Sequence, residues 1–322
     1  MSDEGMSDNH YEIAIVGGGP AGITAALYAG RSRVKTIVLE RGAVGGQLWN
    51  TADIDDYPGL SMSTGPEVAQ KFEEHARKFG AEFEFGTVTK VSKTGDTFVI
   101  ETDEGEEYRA DAVIVTAGGE ARKLGVPGEK EFAGTGVSYC AVCDGAFFQD
   151  KTIAVVGGGD SAVEEGAFLT RYASKVHLIH RRDEFRAAPV EVEHLDATGK
   201  VEKVLNTVVD EIVGDGKVTG VKLRNVENGE ESLLEVDAVF PFVGFIPHSD
   251  IFEDGMIETD DDGHIVTDTK METKTPGLFA AGDVRSQYVR QITNAVGDAT
   301  TAALAASAHV VAVKHERTKA AA

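Results

Sequence analysis

One segment of this chain occurs twice, and the repetition limits the fold more than any other feature. Ile13-Ala-Ile-Val-Gly-Gly-Gly-Pro-Ala-Gly22 returns 140 residues further on as Ile153-Ala-Val-Val-Gly-Gly-Gly-Asp-Ser-Ala162. Each copy opens with a β-branched run of the kind that forms a buried parallel strand, turns through three glycines, and continues into an alanine-rich helical stretch. The glycines have a physical task. Without Cβ atoms at Gly17 and Gly19, or at Gly157 and Gly159, the backbone can approach a pyrophosphate seated on the helix N-terminus, while Gly22 and Ala162 let the helix pack closely on its strand. One such turn is a weak signal. Two in register predict an α/β protein with two Rossmann-like, three-layer dinucleotide-binding domains.

The second strand of each copy ends differently. Thr36-Ile-Val-Leu-Glu40 ends in an acid 18 residues after Gly22, where a carboxylate can accept both ribose hydroxyls of an adenosine. At the same offset the second copy carries His177-Leu-Ile-His180-Arg181-Arg182, with Arg186 four residues on. There the acid gives way to a basic cluster suited to a ribose 2′-phosphate, so this half is expected to select NADPH over NADH. A solvated basic patch is the plainer alternative, but basic residues are scarce: 31 against 54 acidic ones, a formal charge of −23. The first copy is expected to hold FAD. Thr275-Pro-Gly-Leu-Phe-Ala-Ala-Gly-Asp283 sets a carboxylate just past a buried strand, where it can hold the polyol chain of a flavin. A Gly-Asp pair is also a common turn, so the reading requires Asp283 and the first copy to share one domain.

Cys140 and Cys143, the only two cysteines, stand just ahead of the second copy in a Cys-Ala-Val-Cys-Asp-Gly run. Two intervening residues let the sulfurs close a small disulfide, and such motifs often keep one thiol ionised near neutral pH, so redox exchange is expected. Zinc takes about four ligands, and with no third cysteine and no histidine between His75 and His177 no metal is expected. A lone vicinal pair is not a structural disulfide framework and suits a reducing cytoplasm. The first ten residues are acidic without an apolar signal core, and no run of 18 apolar residues occurs, so no membrane attachment is expected. The charge of −23, spread along the chain, argues against a nucleic-acid partner and matches halophilic cytoplasmic proteins. At molar salt the Debye length falls to about 3 Å and the self-repulsion is screened.

A length of 322 residues suggests two domains. Pro66 to Phe79 is amphipathic, and alternating runs from Glu82 to Tyr108 read as an antiparallel insert. Ala112-Val-Ile-Val-Thr-Ala-Gly118 then returns to the first sheet as a core strand, and Ala238-Val-Phe-Pro-Phe-Val-Gly244 closes the second copy in the same manner. The expected organisation is a discontinuous FAD domain of residues 1–118 and 249–322, with an NADPH domain of residues 119–248 inserted through two turn-rich linkers.

Taken in order, Gly17-Gly-Gly-Pro-Ala-Gly, Gly45-Gly-Gln-Leu, Tyr57-Pro-Gly, Cys140-Ala-Val-Cys-Asp-Gly, Gly157-Gly-Gly-Asp-Ser-Ala, His180-Arg-Arg-Asp-Glu-Phe-Arg186, Gly282-Asp283 and Arg290-Gln291 closely resemble low-molecular-weight thioredoxin reductases, over about residues 11–310. The most specific element is the cysteine pair inside the nicotinamide domain. Where family members usually read Ala-Thr-Gly, this chain has Thr116-Ala-Gly118. The resemblance implies that NADPH reduces FAD, FAD opens the Cys140–Cys143 disulfide, and the dithiol reduces thioredoxin, with Cys143 facing the flavin, Cys140 attacking the partner and Asp144 handling the proton. It places Gly17, Gly19, Pro20, Ala21, Gly22, Glu40, Arg41, Gly46, Gln47, Leu48, Asn50, Gly118, Gly282, Asp283, Arg290, Gln291 and Ile292 at FAD, with a helix from about Asn294 behind the flavin. It places Gly157, Gly159, Asp160, Ser161, Ala162, His180, Arg181, Arg182 and Arg186 at NADPH. It further implies a homodimer, rotation of the inserted domain during turnover and, with the acidic composition, a haloarchaeal or similarly salt-adapted member. Apolar contact with thioredoxin is expected around Cys140 from Tyr139, Phe147 and Phe148, which are equally suited to the core. The alternatives are a flavoprotein reductase serving a glutaredoxin-like protein or peroxiredoxin, and a redox sensor with another electron donor.

Overall fold

The computed structural model describes residues 9–51, 54, 56–60 and 63–321. The chain forms two compact units, Met1–Glu120 with Ile246–Ala322, and Ala121–Phe245.

In the first unit the Gly-rich turn joins strand β1 (His10–Val16) to helix α1 (Pro20–Arg31), followed by β2 (Thr36–Glu40), α2 (Gly65–Arg77), β3 (Glu82–Phe85), β4 (Val88–Thr94), β5 (Thr97–Thr102) and β6 (Glu107–Val115). The sheet runs β3-β2-β1-β6-β5-β4. The last strand, β16 (Leu278–Ala280), lies parallel to the C-terminal half of β6, pairing Leu278 with Val113 and Ala280 with Val115. The other half of β6 pairs antiparallel with β5, Phe98 opposite Ala110. Only part of the expected antiparallel insert is antiparallel: β3 joins the parallel sheet instead, with Ile37 beside Glu82 and Glu40 beside Phe85. Alternation along Glu82-Phe-Glu-Phe reports a half-exposed strand and carries no information on direction.

Helix α6 (Ile292–Ala321) closes the unit. By length and a mean hydropathy of 1.3 it is apolar enough to cross a bilayer. One face, however, belongs to the core: Ala295, Ala299, Ala302, Ala303 and Ala306 cluster with Ala21, Ala25, Ala26 and Ala29 of α1 and with Ile13, Ile15 and Ile114 of the sheet. Small residues on both helices permit the close approach. On the opposite face, Ala14, Val16, Ile37 and Val115 of the parallel strands pack with Val91, Phe98 and Ile100 of the antiparallel β5-β4 end of the same sheet and with Met256, Ile265 and Val284, completing a ββα layering.

The second unit repeats the plan. Strands β8 (Thr152–Gly157), β9 (Lys175–Ile179), β10 (Val201–Val204) and β14 (Ala238–Phe242) form a parallel sheet in the order β10-β9-β8-β14. On one side pack α4 (Asp160–Leu169), α5 (Pro189–Ala197) and the one-turn helix α3 (Ala141–Asp144). On the other lies an antiparallel sheet of β11 (Thr207–Gly214), β12 (Val218–Asn225) and β13 (Glu231–Glu235). The linking strands β7 (Gly119–Ala121) and β15 (Phe245–Pro247) pair with each other.

Candidate functional site

In the first unit, β1 ends at Gly17, whose φ of +101° suits glycine alone and whose Cβ would stand 2.6 Å from the Thr116 carbonyl oxygen. Gly22 is tighter still, since a Cβ there would fall 1.9 Å from the Gly17 carbonyl oxygen. At Gly19 the situation reverses: a Cβ meets nothing within 4 Å, and no side chain caps α1, which begins with Pro20. A crowded turn that opens onto uncapped helix amides fits a pyrophosphate. Glu40 is held against this turn, its two carboxylate oxygens accepting from the amides of Gly18 at 2.6 Å and Gly42 at 2.8 Å. Each oxygen keeps a lone pair for a ribose hydroxyl.

The short 3₁₀ segment Gly46–Asn50 is stapled to the same place by Gly45 N–H donating to Gly18 O at 2.8 Å. Leu48 is buried beneath it with Ile292 alongside, and Gln47 Nε2 donates to the Gly119 carbonyl at 3.2 Å. The Asn50 side chain lies outside the described residues. Arg41 Nη2 lies 3.1 Å from His248 Nε2, and the amide of His248 donates to Gly118 O. Burial, then the Arg41 charge, push the His248 imidazole below its usual range, so it is a neutral partner for that guanidinium.

Past β16, Gly282 has a φ of +77° and sits between Ala21 and Ala295. Its amide donates to Asp298 Oδ2, which also accepts from Arg285 Nε at 3.0 Å. Asp283 follows. Burial, reinforced by Asp298 and opposed by Arg290, pushes its carboxyl up to about 6. Arg290 and Gln291 immediately precede α6, which starts two residues before the expected position. The spacing of residues gave no signal for Asp298 or for the histidines beside Arg41 and Arg290; those depend on strand register and loop closure.

The second unit presents a matching turn. A Cβ on Gly157 would stand 2.3 Å from Phe242 O, and Ala162 is fully buried. Gly159 caps α4 without a side-chain bond, and a Cβ added there would meet only Arg186 Nη2, at 3.8 Å. The basic loop is fastened over this turn: Arg186 N–H donates to Gly158 O at 2.7 Å, and Asp160 Oδ1 accepts from Ala188 N–H at 2.8 Å. Ser161, Arg181, Arg182 and Arg186 are exposed. None of these three arginines forms an ion pair among the described residues. His180 differs from them. Buried under Gly158 against the Phe185 ring, it is lowered by burial and then by the neighbouring arginines, and contributes shape rather than charge at neutral pH.

On this same unit, Cys140 and Cys143 form a disulfide with Cα atoms 5.3 Å apart. Cys140 caps α3, and the Cys143 amide donates to Cys140 Sγ at 3.1 Å. Ala141 anchors α3 against Ala162, Val163 and Leu169, so the disulfide is built onto the helix that follows the second Gly-rich turn. Two supports had no sequence signal. Ser138 Oγ donates to Asp144 Oδ2 at 2.5 Å and accepts from the Cys140 amide at 3.2 Å. Tyr139 Oη donates to the buried Glu129, which also accepts from the amides of Leu124 and Gly125; burial, then this bond, raise the phenol. The aromatics near the cysteines therefore divide. Phe148 packs edge-on against Phe240 in the core, while Phe147 is 53% and Val142 42% exposed.

The sequence matches the pyridine nucleotide-disulphide oxidoreductase family over residues 11–299. It is 48% identical over 305 residues to the thioredoxin reductase of Listeria monocytogenes, covering 94% of this chain and 95% of that protein. It is 48% identical over 304 residues to that of Bacillus subtilis, covering 94% of each. The crystal structure of thioredoxin reductase from Streptococcus pyogenes superposes with a TM-score of 0.89 at 45% identity, covering 95% of this chain and 100% of that one. With a disulfide and a dinucleotide turn on one unit and a second such turn on the other, the chain belongs to the pyridine nucleotide-disulphide oxidoreductases and, within them, to the low-molecular-weight thioredoxin reductases.

Proposed function

We propose that the first unit binds FAD, that the second binds NADPH, and that the chain uses both to reduce the disulfide of thioredoxin through Cys140 and Cys143. One observation carries the reading: the disulfide on α3 packs against α4, the helix of a dinucleotide turn whose nearby arginines form no ion pair among the described residues. Bound FAD supplies the two-electron link between nicotinamide hydride and disulfide. Reduction breaks the Cys140–Cys143 bond and leaves two thiols. The Cys143 amide, directed at Cys140 Sγ, favours the thiolate there. Cys140 attacks one sulfur of the thioredoxin disulfide, whose other sulfur leaves and takes a proton. Cys143 then attacks Cys140 Sγ, which restores the internal disulfide and releases reduced thioredoxin. Asp144, placed by Ser138, carries protons for these exchanges. Val142 and Phe147 supply the apolar contact that a strongly acidic protein needs with its partner.

The assignment extends to a cytoplasmic homodimer adapted to high salt. Leu304 and Val311, seven residues apart and exposed on α6, support a subunit contact, and the charge of −23 supports salt adaptation. The test is anaerobic: NADPH or NADH is added to the yellow protein at high salt, bleaching of the flavin is followed, and oxidised thioredoxin is supplied. Bleaching by NADPH and reoxidation by thioredoxin are expected. If neither nucleotide bleaches the flavin, the NADPH assignment is ruled out.

A further inference from the structure

Arg290 is an exposed residue on the loop leading into α6, yet its guanidinium Nη2 reaches 2.8 Å from Nε2 of His264, which is only 3% exposed. A guanidinium only donates, so Nε2 is the bare nitrogen and Nδ1 carries the hydrogen. That hydrogen points to Asp260 Oδ1 at 3.3 Å. The same carboxylate accepts from the His264 amide at 2.9 Å and the Asp262 amide at 3.1 Å, closing a tight turn. Against the opposing effect of burial, bonds from Ser286 and the His264 amide keep Asp260 below the usual carboxylate range, so it is a strong acceptor. The turn is locked to the cofactor strand: Ile265 N–H donates to Val284 O at 2.9 Å, and Ser286 N–H donates to Ile265 O at 2.9 Å. Val284 and Ser286 follow closely on Asp283, whose carboxyl feels the Arg290 charge.

We infer that His264 is a positioning residue of the FAD site: oriented by Asp260 so that Nε2 is the acceptor, it holds the guanidinium of Arg290 at the flavin beside Asp283. The inference rests on the assignment of FAD to the first unit. A long exposed arginine samples many rotamers, and a buried acceptor of fixed tautomer selects one before the cofactor arrives. His264 therefore acts on FAD only through Arg290.

The test is a double-mutant cycle on FAD binding to the apoprotein, read by quenching of flavin fluorescence. His264→Leu and Arg290→Met are each expected to weaken binding about tenfold, about 1.4 kcal/mol. The double variant is expected to bind no more weakly than either single one. His264→Gln, whose Oε1 can replace Nε2 as acceptor, should return within about threefold of the parent, a rescue that a packing role would not produce. Multiplied losses in the double variant, about a hundredfold, would overturn the inference, as would parent-like binding by His264→Leu. Should the leucine variant not fold, His264→Asn keeps a polar group in the buried site but is too short to reach Arg290, and serves in the same cycle. If the parent apoprotein takes up no FAD, the FAD assignment itself fails before any variant is compared.

Discussion

Replacing Asp283 with asparagine tests the buried carboxyl at the end of β16 without changing its size. Its ordinary value of 3.8 is pushed up to about 6. A carboxyl whose folded value is raised binds more protons folded than unfolded between those two values, so it lowers stability as pH rises through that window. Well above pH 6 the whole penalty is present, and 2.2 units of difference amount to about 3 kcal/mol. At pH 5 roughly half of it remains, and below about pH 4 almost none. Asparagine has no such titration. The stability of Asp283→Asn relative to the parent is therefore expected to improve by about 1 to 2 kcal/mol between pH 5 and pH 8, measured by urea unfolding of the FAD-free protein at constant high salt. The same variant should hold FAD less tightly, because the carboxylate is the stronger acceptor for the flavin polyol. Stability differences that stay constant across this pH range would show that Asp283 ionises normally and that its surroundings have been misjudged.

Other consequences are as direct. Arg186→Ala should cut kcat/KM for NADPH about tenfold while changing that for NADH less than twofold, since one charge-assisted bond to the 2′-phosphate is lost; equal losses with both nucleotides would show that Arg186 serves only to shape the loop. Cys143→Ser should accumulate a mixed disulfide with an activated thioredoxin on non-reducing gels and Cys140→Ser should not; the reverse result exchanges their roles. Gly22→Ala, which drives a Cβ to 1.9 Å from the Gly17 carbonyl oxygen, should cost about 3 kcal/mol or more and abolish FAD retention, detected by the protein-bound flavin spectrum after gel filtration. A normal flavin content in that variant would mean that the turn can relax.

The ββα layering was readable because its determinants are local. A β-branched run, a glycine turn and a small-residue helix each announce themselves within a dozen residues, and a second copy removes the ambiguity of the first. Direction of pairing was not readable at β3, where Glu82-Phe-Glu-Phe alternates in the same way whether its neighbour runs parallel or antiparallel. At the candidate site, residues that work through their backbone, such as Gly17 and Gly159, could be chosen from sequence, whereas their supports could not. Ser138 reaches Asp144 because the chain turns at α3, and His264 reaches Arg290 across 26 positions because Ile265 runs beside Arg285. Neither contact leaves a trace in residue spacing. His180 gives a related lesson: its place among arginines suggests a cation, and only burial beneath Gly158 reveals a neutral ring.

The pairing of β16 with β6 also sets an order on assembly during synthesis. Val113 and Leu278 are neighbours in the sheet but are separated by the whole inserted unit, and α6 follows later still. A ribosome that has released residue 245 has delivered every strand of the second unit, while the first still lacks Asp283 and the alanine face that shields α1. A nascent chain arrested there should therefore carry a protected Cys140–Cys143 domain that binds NADPH but takes up no flavin, with Ala21, Ala25 and Ala29 uncovered for a chaperone to bind.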